Sequence, residues 1–591
     1  MSWNDRATGA PETISGLIER TATGYLAAEI GLALLILVLA AVRPQLGGAL
    51  FTRIEQQAGR WVCPGWRPIV LVGLLAVISR ALLLPWQGSP APAVHDEQSL
   101  LLQAQTYLAG RLANPTHPFW EHFETFHVNQ VPAYASMYFP GRGTPLALGL
   151  LLADNAWLGV WLSVVAMCMA GVWMLQAWVP APYALLGGVL LVLRFGIFSY
   201  WINSYWGGAF TALGAMLVVG ALPRIQRRPS WRMGLTMGVG AAILMTTRAY
   251  EGLLICLPVG VVLLAGVLRP TWQGGRWHVL KTVLPASLAV GAGGLVLLAY
   301  NVATTGNTLE TPYTLNRATY ASAPAFVTAQ PVQSALRGPA YFREFYTAEG
   351  QDYFQRRSSL KSFAKSVIGK LFHTWNFYVG PVLSAALLAG LWSLRRHRFI
   401  AGGLVFFFAG YSVVTWNFPH YTAPVMPLLL IVLLRGFEAV RGWRWRGRDT
   451  GLFLSRAMPA AGLAVLLLPA SAVVLGVPQL KPNLFAQACC AIPAPDDVRS
   501  RVIKRLQAIP GRHLVLVRDG DNNPLHYEMV YNEPDIDDAR IVFARRLDAA
   551  RDEALLRHFA GRTVWEFEWR PELPEKSTLV RLGTAPLQTS R

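Results

Sequence analysis

Apolar runs of roughly 17 to 25 residues recur along this chain between short polar connections, and each is long enough to cross the ~30 Å hydrocarbon core of a bilayer as an α-helix. The pattern predicts spans near 24–42, 68–86, 156–176, 181–199, 205–222, 233–248, 251–268, 282–300, 373–392, 399–415, 421–435 and 452–477. The first run carries Glu29 and lacks the pattern of a removable signal peptide. The expectation is therefore an all-α polytopic membrane protein of about 11–12 transmembrane helices, depending on whether 24–42 crosses.

After residue 478 the periodicity changes. A helix near 495–508, strands at 513–517 and 541–544, a helix at 549–560 and a strand at Thr563–Trp569 predict a small C-terminal α/β domain. The expected organisation is an N-terminal segment (1–67), a membrane domain (68–477) with long loops at 87–144 and 301–372, and a soluble domain (478–591).

Composition agrees, with 53% hydrophobic against 14% charged residues and 21 Trp. Arginines set the orientation, because Lys and Arg in short loops stay on the cytoplasmic side. Arg43, Arg53, Arg60 and Arg67 fill one connection, Arg224, Arg227, Arg228 and Arg232 another, Arg395, Arg396 and Arg398 a third, and Arg435, Arg441, Arg444, Arg446 and Arg448 a fourth. Loops 87–144, 200–204, 248–251, 301–372 and 416–420 then face the periplasm, as does the C-terminal domain, and the compartment implied is a bacterial-type inner membrane. The net charge of +19 belongs to the membrane part, since 17 Lys and Arg stand against 16 Asp and Glu from 478 onward. Anionic lipid, not nucleic acid, is the partner this implies. Cys63, Cys168 and Cys256 lie in or beside spans and the adjacent Cys489 and Cys490 outside them, which gives no disulfide framework. The sequence has no internal repeat, Walker-type loop or GxGxxG.

Specific polar residues crowd the outer loops. His95, Asp96 and Glu97 precede a helical stretch; such carboxylates can serve as a general base, or Asp96 can simply cap the helix. Arg248, Tyr250 and Glu251 form a sharp turn on the same face, joined by Asn203, Tyr205, Trp206, His420 and Tyr421. Arg80 and Arg194 lie inside apolar runs, and Arg142 lies in the first loop. A phosphate held at the membrane surface suits these guanidinium forks, and snorkelling to lipid headgroups is the alternative for each. Residues 117–127, with His117, Glu121, His122, Glu124 and His127, match no standard zinc motif; a divalent metal and an interfacial helix with one polar face are the two readings. The basic stretch from Arg356 to Lys370 reads as an amphipathic helix anchored to lipid.

The Asp96-Glu97 pair in the first long loop, the amphipathic stretch after it and Tyr138-Phe139-Pro140-Gly141-Arg142-Gly143 resemble the GT-C superfamily of membrane glycosyltransferases, over roughly residues 68–435. Within it the chain looks most like the family 39 group of protein O-mannosyltransferases and lipid A aminoarabinose transferases. The resemblance implies sugar transfer from a polyprenyl-phosphate carrier to a lipid, glycan or protein acceptor, with inversion. It also implies Asp96 as base with Glu97 as acidic neighbour. Tyr138, Arg142, Arg248, Tyr250, Glu251, Arg80 and Arg194 would serve the donor phosphate, and His95, Asn203, Tyr205, Trp206, His420 and Tyr421 the acceptor or sugar. Phe139 before a single proline departs from the family's Tyr-Pro-Pro loop. No cofactor is implied with certainty. The competing class is a transporter or flippase for a lipid-linked or small anionic substrate, which would place polar sites at midplane in repeated halves.

Overall fold

The computed structural model describes residues 14–92, 94–268, 275–332, 337–475, 498–518, 528–569 and 577–585. The expected helix start at 495–497 and the Cys489–Cys490 pair lie outside them.

Every expected span falls on helix, and the chain is a multi-pass helical membrane protein. Among the described residues, six helices are long and apolar enough to cross a membrane: Ala156–Leu175, Ala209–Arg227, Ala249–Gly266, Leu280–Thr305, Pro419–Arg441 and Thr450–Leu467. The count is lower than the dozen expected because several apolar runs end early. Residues 196–208 illustrate this: they leave the Ala181–Phe195 helix and fold into a turn with a short helix, Tyr200–Asn203, that lines the site described below. The run at 373–392 is broken by 105° between Leu360–Tyr378 and the helix beginning at Gly380. Gly380 sits at φ +71, and Pro381 follows it. A Cβ there would lie 2.5 Å from Glu29 Oε2, so both backbone and space require glycine. Glu29 is buried at this break and pairs with Arg194 at 3.1 Å.

Small residues bring the helices together, as lipid-embedded packing requires. A Cβ on Gly436 would stand 1.7 Å from the Ala386 carbonyl, and one on Gly234 2.1 Å from that of Thr282. Two arginine-rich connections also meet, where Glu55 accepts Arg441 at 2.7 Å and Arg456 at 2.6 Å.

The 87–144 segment holds the His95–Leu108 helix and three short strands, β1 (Asn114–Pro115), β2 (Val128–Asn129) and β3 (Ala133–Ser136), in the order β1-β3-β2. The C-terminal sheet contains β4 (His513–Arg518), β5 (Ile541–Arg545), β6 (Thr563–Glu568) and β7 (Thr578–Thr584), in the order β5-β4-β6-β7. β5 and β6 flank β4 in parallel, and β7 is the antiparallel edge. Leu102, Phe123, Val128 and Tyr134 share one apolar core with Leu514, Leu516, Val542 and Phe559, so the loop and the C-terminal sheet lie at the same end of the bundle. Arg111–Asp535 and Arg551–Glu121, both at 2.8 Å, reinforce the seam.

Two helices in the 301–372 segment, Pro312–Tyr320 and Ala340–Arg357, fold over this layer. The basic stretch after them is not wholly a lipid anchor. Lys370 is buried and donates to the carbonyls of Tyr411, Ser412 and Val414, closing the end of the Arg398–Ser412 helix, while Lys361 and Lys365 remain exposed.

Candidate active site

Capping at the start of the His95–Leu108 helix belongs to Glu97. Its Oε2 accepts the Val94 N–H at 3.0 Å and its Oε1 the Tyr205 N–H at 2.7 Å, and the side chain is 0% exposed. Glu97 thus holds the helix start against the 199–206 turn, the place a glutamate takes three residues after an N-cap. Asp96 is left for other work. Its Oδ1 accepts the Tyr138 hydroxyl, its Oδ2 lies 3.0 Å from His95 Nδ1 and 3.9 Å from His127 Nε2, and its side chain stays 18% exposed. Burial opposes ionisation of Asp96, but the bonds from His95 and Tyr138 favour the charged form, and the carboxyl lies well below its usual value. Burial, then His95, pushes His127 down to about 3, so its ring is neutral near pH 7.

His127 stands at φ +61, in the left-handed region that few residues other than glycine adopt. Its carbonyl accepts Ser99 Oγ at 2.6 Å and the Met137 N–H at 3.0 Å. These bonds aim the ring at Asp96. Gln103 Nε2 donates to the Tyr138 carbonyl at 3.1 Å and so seats the other partner of Asp96 on the same helix.

The arginines join through one close approach. Gly141 donates its N–H to the Thr246 carbonyl at 2.9 Å, and a Cβ there would stand 2.5 Å from Thr246 Oγ1. Only glycine lets the Tyr138–Arg142 turn lie on the end of the Trp231–Thr247 helix. Arg142 then packs over the Tyr138 ring at 4.6 Å and donates to the Trp206 carbonyl at 3.3 Å. Burial and, after it, the like charge of Arg248 lower Arg142 to about 10. Arg248 packs 3.7 Å over Tyr421, with Glu251 at 4.0 Å, and its side chain is 10% exposed. Its Nη2 is buried and has no hydrogen-bond partner among the described residues. His420 takes the Tyr200 hydroxyl at 3.0 Å on Nδ1 and packs on Trp206 at 4.9 Å. Asp96, Tyr138, Arg142, Arg248, Trp206, His420 and Tyr421 therefore form one continuous cluster at the end of the bundle that carries the C-terminal sheet.

Other expected site residues are engaged elsewhere. Arg194 binds Glu29 and the carbonyls of Asn376 and Phe377, holding the helix break. Arg80 is fully buried over Trp157 and donates to Gly88 O and Asn203 Oδ1, so both it and Asn203 brace the 84–90 turn. The Tyr205 hydroxyl bonds Pro90 O at 2.8 Å, and that of Tyr250 bonds Gly410 O at 2.9 Å.

The histidine-rich 117–127 segment does not gather around one ion. His122 bonds the Arg545 carbonyl, Glu121 pairs with Arg551, and Glu124 accepts the Tyr320 hydroxyl. His117 and His558 both reach Asp537, at 3.1 and 2.7 Å, a grouping with metal-ligand spacing. However, His117 Nδ1 accepts the Phe119 N–H at 3.0 Å, which leaves the proton of the neutral ring on Nε2, pointing at Asp537. This triad is a hydrogen-bonded clasp. His95, Asp96 and His127 form a second such grouping, with ligand atoms within 4.8 Å of one another.

Sequence reasoning missed Arg317, Glu349 and Tyr346, which lie beside the site, where Phe345 meets the His95 ring edge-on at 5.8 Å. Arg317 donates to Glu349 at 2.5 Å and to the Ala323 carbonyl at 2.7 Å. The signal was present: Tyr341, Phe342, Phe345, Tyr346 and Tyr353 recur at helical spacing.

No family model matches the chain, and no curated protein matches it. Among solved structures, it is similar to ArnT from Cupriavidus metallidurans in the apo state, at 13% identity and TM-score 0.47 over 84% of this chain and 92% of that one. The undecaprenyl phosphate-bound form of ArnT gives 13% identity and TM-score 0.45 over 84% and 93%. The Archaeoglobus fulgidus oligosaccharyltransferase in complex with Zn and sulfate gives 10% and 0.42 over 76% of this chain and 60% of that one. At these values the likenesses carry no functional weight, and the case for function rests on the site.

Proposed function

We propose that this chain is an inverting glycosyltransferase that moves a sugar from a polyprenyl-phosphate carrier to an acceptor at the periplasmic face of the inner membrane. One observation carries the reading: an ionised, partly open carboxylate, Asp96, stands in the same cluster as two largely buried arginines, one with an Nη2 that has no hydrogen-bond partner among the described residues. A base beside an anion cradle is what displacement of a phosphate at an anomeric carbon needs.

Each Asp96 oxygen has a second lone-pair direction beyond its Tyr138 or His95 bond, so the carboxylate can still accept a proton. It takes that of the acceptor hydroxyl as the hydroxyl oxygen attacks the anomeric carbon. The bond from that carbon to the carrier phosphate breaks, its electron pair leaves on the phosphate oxygen, and Arg142 and Arg248 neutralise the growing charge. Attack opposite the leaving group inverts the centre. Gathering of the polar groups at one end of the bundle favours this chemistry over transport, which needs a midplane site. Sidedness rests on the arginine-rich connections.

The test is a transfer assay with protein in nanodiscs, a panel of labelled polyprenyl-phosphate sugars and total envelope lipids and glycans as acceptors, with the product anomer read by NMR. Transfer with inversion is expected. Transfer with retention, or ATP- or gradient-driven movement of the lipid without transfer, would contradict it.

A further inference from the structure

The ring of His95 sits in a box of three others. Phe126 lies 5.1 Å from it, His127 meets it edge-on at 4.4 Å and Phe345 does so at 5.8 Å, and the residue is 6% exposed. Its Nδ1 is thereby held 3.0 Å from Asp96 Oδ2, while the Tyr138 hydroxyl donates to the other carboxylate oxygen. Close packing leaves a side chain few rotamers. The walls of the box therefore decide where Nδ1, and with it the carboxylate, points.

Those walls lead to one residue of the C-terminal sheet. Arg545, at the end of β5, is 2% exposed and pairs with Glu528 at 2.9 Å. Its guanidinium also donates to the Glu124 carbonyl at 3.1 Å, just ahead of Phe126 and His127 in the chain. The same group lies 5.1 Å over Tyr341 and 5.4 Å over Phe342, and the Tyr341 hydroxyl donates to Glu528. Phe342 in turn stacks on Phe126 at 4.0 Å, and Phe345, on the same helix, lies 5.0 Å from Phe126. Arg545 thus grips the 124–127 segment and the Ala340–Arg357 helix together.

We propose that His95 is a positioning residue that orients the Asp96 carboxylate toward the acceptor proton, and that Arg545 lets the C-terminal domain set that orientation by fixing the walls around the His95 ring. This rests on the reading of Asp96 as base. Buried ion pairs add little net stability over apolar packing, so adhesion between the domains does not by itself account for Arg545 and Glu528. Coupling between separated groups travels through contiguous packing, and here every link is a hydrogen bond, a ring contact or adjacent backbone.

The test uses full-length protein in nanodiscs, steady-state transfer from the polyprenyl-phosphate sugar that serves as donor, and NMR of isotope-labelled histidine rings, with the His95 signal assigned by its loss in His95→Asn. His95→Phe keeps a ring in the box but removes Nδ1; kcat should fall roughly 10- to 100-fold at constant donor KM, the scale of a slightly misplaced catalytic group. His95→Asn, whose amide nitrogen stands near the place of Nδ1, should recover most of that loss. Arg545→Lys keeps the charge beside Glu528 but loses the planar fork. It should move the His95 signal and lower kcat per folded molecule roughly 3- to 10-fold, the worth of one neutral hydrogen bond, again at constant KM. Phe345→Leu alters one wall without touching the ion pair and should give the same two effects, which keeps the test open if Arg545→Lys does not fold. Wild-type kcat in His95→Phe, an equal loss in His95→Asn, or Arg545 and Phe345 variants that lower only the melting temperature would each overturn the proposal. A His95 signal moved by Arg545→Lys in protein that transfers from no polyprenyl-phosphate donor would leave the box standing and remove the transferase; an unmoved signal in an active transferase would remove the box alone.

Discussion

Replacing Glu97 by Ala removes a carboxylate that accepts two backbone N–H groups, from Val94 and Tyr205, in an unexposed position. Each buried donor left unsatisfied costs about 1–3 kcal/mol, so the variant should lose roughly 2–6 kcal/mol if both stay dry, and about half of that if water reaches one. Glu97→Gln keeps one acceptor oxygen but turns an amide N–H₂ toward the second N–H, and should fall between. The assay is thermal melting by fluorescence-detected size exclusion in detergent, beside transfer activity per folded molecule. A loss of melting temperature graded Ala, then Gln, is expected, with folded Glu97→Gln retaining most of its activity. Wild-type melting with activity lost by a factor of about 100 or more, the scale of a missing acid or base, would refute the capping role and make Glu97 a catalytic group.

Gly141→Ala should uncouple the arginines, because its Cβ would meet Thr246 Oγ1 at 2.5 Å; donor KM should rise while membrane insertion, read by expression in the membrane fraction, is kept. His127 should make stability fall with acid: its folded pKa of about 3 lies below the ordinary ~6.5, so the unfolded chain binds the extra proton, and stability present above ~6.5 is lost progressively down to about 3. His127→Asn, which tolerates the left-handed backbone, should flatten that slope in melting curves from pH 7 to 4. An unchanged slope would remove His127 as its source.

Much of the helical architecture was legible because long apolar runs have few alternatives to a membrane, and every run proved helical over most of its described length. What the hydrophobic pattern could not show was where a run leaves the helix: Gly380 breaks one at a glycine forced by Glu29 and Arg194, and residues 196–208 turn away into the site. The argument that an arginine inside an apolar run needs a partner held for Arg194, yet the partner is Glu29 from a distant helix, not a phosphate. Arg80 found carbonyl, amide and indole partners instead. Asp96 and Glu97 stood side by side with interchangeable chemistry. Only the position of Val94 and Tyr205 divides them, because a pair contact across 108 residues leaves no local pattern.

The most direct measurement is turnover by the Asp96→Asn variant. An amide fills the same space and can still accept the Tyr138 hydroxyl, but it cannot take a proton as a carboxylate does. With protein reconstituted in nanodiscs and a labelled polyprenyl-phosphate sugar, the variant should fold, keep donor binding, and lose turnover by roughly 10²- to 10⁴-fold. Near-wild-type turnover in folded Asp96→Asn would contradict the account and leave the cluster without a base.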